Sequence, residues 1–215
     1  MQAPSVAPSV LATNSVTTAK GPVAVLALQG DFAAHLEALA AHGLPAVEVR
    51  TAADLLACRP AAVVLPGGES TTMLRLMEGS GVAEAIVSCA GAGVPVLATC
   101  AGVVLLAREV RNPVQASLGV LDVVVERNSY GRQLNSAVVP VRTVGGVLPE
   151  PWFEGVFIRA PRIVAVGEGV NVLARRDDDP VLVRQGNVLA ATFHPELSPS
   201  SPVLALFARL LREVS

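Results

Sequence analysis

From residue 22 onward the chain falls into short apolar runs separated by stretches with helical periodicity. VAVLAL (23–28), AVEVR (46–50), AAVVLP (61–66) and VPVLAT (94–99) have the length and branching of buried strands. Between them lie DFAAHLEALAAHG (31–43), AADLLAC (52–58) and TMLRLMEGSGVAEAIVSCAGAG (72–93), which read as helices. The first has Asp31 as an N-cap and stops at Gly43, and the last breaks near Gly79–Gly81. AGVVLLARE (101–109) reads as a further helix opened by Cys100. Strands alternating with helices predict an α/β fold, a mostly parallel central sheet flanked by helices on both faces.

The second half has a different rhythm. GVLDVVVERN, SAVVPVR, GVFIRAP, IVAVG, NVLARR, PVLVRQGN and VLAATFHP are mostly strands joined by turns. These additional strands either extend the sheet or form a smaller antiparallel one. SPVLALFARLLREV closes the chain as an amphipathic helix. Residues 1–21, rich in Ala, Pro, Ser and Thr and without periodicity, are expected to be a flexible tail, leaving 22–215 as one domain.

Composition narrows the class. The 215 residues are 52% hydrophobic but only 3% aromatic, so the core is built from Ala, Val and Leu. A net charge of −2, with no basic cluster interleaved with aromatics, argues against a nucleic-acid surface. The uncharged run from Cys89 to Ala107 is broken by Gly91, Gly93, Pro95 and Gly102, which favours a buried strand and helix over a membrane span. Three cysteines without paired or CxxC spacing fit neither a disulfide framework nor a zinc site, so a reducing cytoplasm is the expected compartment and no metal is expected.

Candidate chemistry begins at LATCAG. Cys100 stands at a strand-to-helix turn between the small residues Ala98, Ala101 and Gly102, as a nucleophile on a sharp turn requires. A helix N-terminus there favours thiolate. A buried packing cysteine is an equally open reading of this stretch alone, and it is the reading for Cys58 and Cys89. A thiol nucleophile needs a base. His35 and His42 fall in the first helix and read as surface or local packing residues. His194, in TFHPEL, follows an apolar strand, and in an extended stretch Glu196, two residues on, points the same way and can orient its ring, completing a Cys–His–Glu triad. LPGGESTT (65–72) lacks the lysine of a phosphate-binding loop, and its glycine N–H groups suit an oxyanion instead.

Taken in order, LALQGDFAAH, LPGGESTT, TCAG, VVVERNSYGRQ, FIRAP and FHPEL resemble the class I glutamine amidotransferases, and more narrowly the PdxT/SNO family of glutaminase subunits of pyridoxal 5′-phosphate (PLP) synthase. The resemblance covers roughly residues 22–213. It implies a flavodoxin-like fold and hydrolysis of L-glutamine to glutamate and ammonia by Cys100, His194 and Glu196. It places Gly67 and Gly68 at the oxyanion loop, Glu69 and Ser70 in the glutamine pocket, and Arg127, Ile158 and Arg159 against substrate. For Arg127 an ion pair to Glu126 or another acid is the alternative. It further implies a partner, a (β/α)₈-barrel synthase subunit that receives the ammonia, with Gln29 and Gly30 as the switch that senses docking, whereas apart from the resemblance Gln29 reads as an ordinary turn residue. No cofactor is implied; PLP is the product of the complex. An amidotransferase for a different synthase and a catalytically silent regulatory subunit are the competing readings. The chain departs from the family at Ala98, where glycine is usual, and in its longer N-terminal segment.

Overall fold

The computed structural model describes residues 21–127 and 136–213. In chain order the elements are β1 (Val23–Leu26), α1 (Phe32–Ala41), β2 (Ala46–Val49), α2 (Ala52–Ala57), β3 (Ala62–Leu65), α3 (Ser70–Met77), α4 (Val82–Gly91), β4 (Val96–Thr99) and α5 (Ala101–Leu106). There follow β5 (Ala107–Arg111), β6 (Leu121–Glu126), β7 (Ser136–Thr143), β8 (Trp152–Ile158), β9 (Arg162–Val166), β10 (Asn171–Arg176), β11 (Asp179–Gln185), β12 (Val188–Ala191) and α6 (Pro202–Glu213). The expected tail falls largely on residues 1–20, outside the described residues, as does the whole NSYGRQ part of the ERNSYGRQ motif.

Among the described residues the main sheet runs β2-β1-β3-β4-β12-β11-β10-β7-β8. From β2 to β12 neighbours are parallel; from β12 to β8 they are antiparallel. The second-half strands therefore do both things the sequence left open. Five of them, β7, β8, β10, β11 and β12, extend the main sheet, while β5, β6 and β9 form a separate three-stranded one. That small sheet is mixed rather than antiparallel, since β5 and β6 run parallel.

Strand residues feed two cores by simple alternation. Ala24, Leu26, Val63, Leu65, Val96, Ala98 and Ala190 join one core with Met73, Met77, Ile86, Val103 and the small sheet's Val123 and Val125. Val23, Val25, Val64, Leu97, Leu189 and Ala191 join the other with Leu39 of α1 and Val203, Leu206, Phe207 and Leu210 of α6. On α6 these four lie at i, i+3, i+4 and i+7, one stripe of a helix, and each buried side chain contributes about 1.5–3 kcal/mol. Helices thus cover both faces, as predicted.

One element is shorter than its pattern. The AGVVLLARE helix ends at Leu106, and Ala107 turns to extended backbone (φ −55°, ψ 150°) as β5 begins. Val110 is buried in the first core while Arg108, Glu109 and Arg111 are exposed, so this stretch serves the small sheet better than a third helical turn would. No helix among the described residues is long and apolar enough to cross a membrane.

Candidate active site

Two adjacent parallel strands carry the reactive groups. β4 and β12 pair in register, Ala98 with Ala190 and Thr99 with Ala191, and the Cys100 N–H donates to the Ala191 carbonyl at 2.9 Å. Both strands end at the same edge, where open α/β sheets bind ligands. Cys100 sits between β4 and α5 with φ 45° and ψ −105°, backbone that a side-chain-bearing residue adopts at a cost of about 1–3 kcal/mol. The strain falls on Cys100 itself. Ala98 lies inside β4 and is not among the positive-φ residues, so alanine serves there as glycine would. The small neighbours are needed for contact: a Cβ on Gly102 would come within 2.3 Å of the Leu65 carbonyl oxygen.

His194 follows β12, and its N–H donates to the Val156 carbonyl of β8 at 2.8 Å. The next residues, Pro195–Leu197, form a short 3-10 turn. The extended geometry expected for His194–Glu196 is therefore absent, because Pro195 opens a turn instead, yet the turn brings the same two groups together. His194 Nδ1 donates to Glu196 Oε1 at 2.7 Å, which leaves Nε2 for Cys100. Burial opposes charge on His194, but hydrogen bonds with the Cys100 thiol and the Glu196 carboxylate outweigh it and raise its pKa from 6.5 to about 10. Burial likewise opposes charge on Glu196, and hydrogen bonds from His194 and His35 overcome it, holding the carboxyl down at about 2. The arrangement stabilises an imidazolium flanked by a carboxylate and a sulfur, which activates a thiol for attack and supplies a proton to a leaving group.

The other thiols are different. Burial pushes Cys58 and Cys89 up, and the Cys58 thiol donates to the Leu55 carbonyl at 3.3 Å. They behave as packing residues.

The β3–α3 turn forms one wall. Gly67 lies against both reactive side chains, and a Cβ there would sit 2.4 Å from His194 Cε1 and 3.3 Å from Cys100 Cβ. The Gly67 carbonyl accepts from the Asp31 N–H at 3.1 Å, so the trans peptide turns the Gly68 N–H to the opposite side. Gln29 Oε1 accepts from the Glu69 N–H at 2.6 Å, and Gly30, at φ 100°, packs directly on Gly67. Gln29 is therefore more than a turn residue, for it ties the first loop to the glycine loop. Ser70 and Thr71 hydroxyls both donate to Gln115 Oε1, at 3.1 and 3.2 Å.

These elements enclose a cleft of about 310 Å³ lined by Gly30, Asp31, Gly67, Gly68, Glu69, Ser70, Cys100, Ala101, Val104, Arg127, Ile158, Arg159, Pro161 and His194. Every residue singled out from the sequence lines it except Gln29 and Glu196, which support it from behind. Arg127 pairs with Glu69 at 3.1 Å, across the cleft mouth. Cys100 Sγ lies 3.8 Å from the Ile158 carbonyl oxygen, and Arg159, at φ 44°, follows directly.

Sequence reasoning missed three neighbours. His35 is not a surface or local packing residue: it is fully buried, with Nε2 3.0 Å from Thr99 Oγ1 and 3.4 Å from Glu196 Oε1. His42, by contrast, packs locally against the Ala38 carbonyl. Asp31 stands at the N-cap of α1 but makes no side-chain cap. Its carboxylate instead joins His194 and Glu196, with one polar atom of each within 4.8 Å of the others. A metal at these groups would displace the 2.7 Å hydrogen bond that orients His194. Gln115 is the third. A signal existed for the first two: Asp31 and His35 are spaced i, i+4, one face of a helix beginning at the sheet's functional edge.

Comparison with known proteins agrees with this geometry. The chain is 45% identical over 192 residues to the pyridoxal 5′-phosphate synthase subunit PdxT of Thermotoga maritima, covering 88% of this chain and 99% of that protein. It is 49% identical over 193 residues to the protein of the same name from Thermus thermophilus, covering 89% and 98%. A crystal structure of a glutamine amidotransferase superposes with a TM-score of 0.81 at 45% identity, covering 89% of this chain and all of that one. The profile of the SNO glutamine amidotransferase family matches residues 25–213, and the chain belongs to that family.

Proposed function

We propose that the chain hydrolyses L-glutamine by thiol catalysis and delivers the ammonia to a PLP synthase subunit. The observation that carries the reading is the alignment of Cys100 and His194 at the ends of two paired strands, facing one cleft, with Glu196 behind His194 on its Nδ1.

The Cys100 sulfur attacks the side-chain amide carbon, and the carbonyl oxygen gains the negative charge. N–H groups of the Gly67–Gly68 loop and of Ala101, the residue after the nucleophile, offer donors to that oxyanion. His194 gives its Nε2 proton to the amide nitrogen, the C–N bond breaks, and ammonia leaves a glutamyl thioester. His194 then takes a proton from water, whose oxygen attacks the thioester and releases glutamate and the thiol. Glu196 holds the ring in the required tautomer. Arg127 and Arg159 are suited to the substrate α-carboxylate, and Glu69 to its ammonium. The chemistry calls for neither metal nor organic cofactor, so PLP is product rather than prosthetic group.

Support for the partner comes from relatives at 45–49% identity that are named as PLP synthase subunits. In this reading the partner is a (β/α)₈ barrel, docking is sensed through Gln29 and Gly30, and the complex works in the cytoplasm. The test is ammonia release from L-glutamine by wild type and Cys100→Ala, each with and without the synthase subunit. Partner-stimulated release that disappears in Cys100→Ala is the expected result. Release that survives the substitution removes Cys100 as nucleophile. A folded wild type that binds the synthase but releases nothing makes the chain a silent regulatory subunit.

A further inference from the structure

We propose that His35 is a positioning residue of the triad, bracing its acid and its nucleophile turn at once; this rests on the Cys100–His194–Glu196 reading above. His35 reaches from α1 to two groups. Its Nε2 is 3.4 Å from Glu196 Oε1 and 3.0 Å from Thr99 Oγ1, and Thr99 is the residue immediately before Cys100. A carboxylate oxygen only accepts, so the nitrogen facing it bears the proton, and one N–H forks between the two oxygens. The remaining ring nitrogen, Nδ1, has no partner among the described residues and is left as a bare acceptor rather than a stranded donor.

The carboxylate depends on this contact. Glu196 Oε2 is buried without a hydrogen-bond partner among the described residues, so Oε1 alone receives both His194 and His35. With His35 in place the carboxylate cannot turn Oε1 away from His194 without losing both donors. Without it, a buried charge keeps one hydrogen bond and the torsions of Glu196 are set only by the residue it is meant to orient. The contacts close a ring, Cys100 to His194 to Glu196 to His35 to Thr99 and back along the chain to Cys100. The groups facing Glu196 among the described residues are His194 from its own segment, His35 and Asp31 from the start of α1, and Cys100 through His194.

The experiment compares wild type, His35→Leu, His35→Gln and Cys100→Ala as full chains with the synthase subunit, measuring glutaminase kcat and KM across pH. Circular dichroism and the rate of Cys100 alkylation by iodoacetamide accompany each. Leucine fills the site without a donor; the glutamine amide replaces the Nε2 donor. The expected result for folded His35→Leu is a kcat lower by about 10- to 100-fold with KM little changed, and a low-pH limb displaced to higher pH. His35→Gln recovers most of the rate and returns the limb. Should His35→Leu not fold, His35→Gln decides alone: a near wild-type rate supports the donor role, and a loss as deep as that of an unfolded site overturns it. Wild-type rate and limb in folded His35→Leu, or an equal loss in both His35 variants with the limb unmoved, also overturns it. Survival of activity in Cys100→Ala overturns the triad itself, so the two failures are distinguishable.

Discussion

Gly67 lies so close to His194 that a single added methyl would stand 2.4 Å from the ring's Cε1. The glycine loop and the imidazole are thus in contact before any substrate arrives. Gly67→Ala is expected to push His194 off Cys100 and reduce kcat by at least about 100-fold, the scale of a lost oxyanion donor or a misplaced base. The loop borders the cleft, so the same variant is expected to lose little stability. Ammonia release and a thermal melt check both statements.

The triad's titration predicts where it stabilises the fold. Glu196 is lowered from 4.5 to about 2, so its contribution is fully present above pH 4.5 and is lost as pH falls toward 2. His194 is raised from 6.5 to about 10, so its contribution is fully present below pH 6.5 and fades as pH rises toward 10. The Tm difference between wild type and Glu196→Gln is expected to be largest between pH 4.5 and 6.5 and to narrow on both sides. Each kcal/mol corresponds to about 2–4 °C at this chain length. Melts in buffers spanning pH 3–10 read the profile.

Arg127 and Glu69 form a partly exposed pair at the cleft mouth, which contributes only about 0–1 kcal/mol to stability. Arg127→Ala is therefore expected to leave Tm nearly unchanged. The KM for glutamine rises by about 10-fold or more, with a smaller change in kcat. Steady-state kinetics beside a melt separate binding from folding.

Thiol labelling tests the contrast among cysteines. Cys58 and Cys89 are held protonated by burial, while Cys100 faces a charged imidazole. Iodoacetamide at neutral pH is expected to modify Cys100 first. Labelling of Cys100→Ala should be slower by about 10-fold or more. Peptide mass spectrometry identifies the site.

Strand runs, the break at Gly79–Gly81 and the amphipathic last helix were legible because each pattern is local. So was the trio of Cys100, His194 and Glu196, since reactive types at strand ends are rare in so apolar a chain. Other features rest on information a one-dimensional pattern lacks. The strand after Leu106 exists because Ala107 and Val110 find a partner in β6, far along the chain. His194 and Glu196 meet through a 3-10 turn, whereas the sequence argument reached the same pair through extended geometry. His35 looked like one more helical histidine, because its significance depends on which sheet edge α1 begins from. Gln29 looked like a turn residue until its side chain was seen to span to Glu69.

The register between β4 and β12 gives the molecule a hinge-free baseline. Everything from β5 to β11 leaves that baseline and returns to it, so the chain between nucleophile and base is a closed excursion. Within it β8 touches the baseline again, where the Val156 carbonyl accepts from the His194 N–H and the Ile158 carbonyl faces Cys100 Sγ. An assembly that shifts this excursion would move Arg127, Ile158 and Arg159 over a sulfur and an imidazole whose spacing the two strands hold fixed.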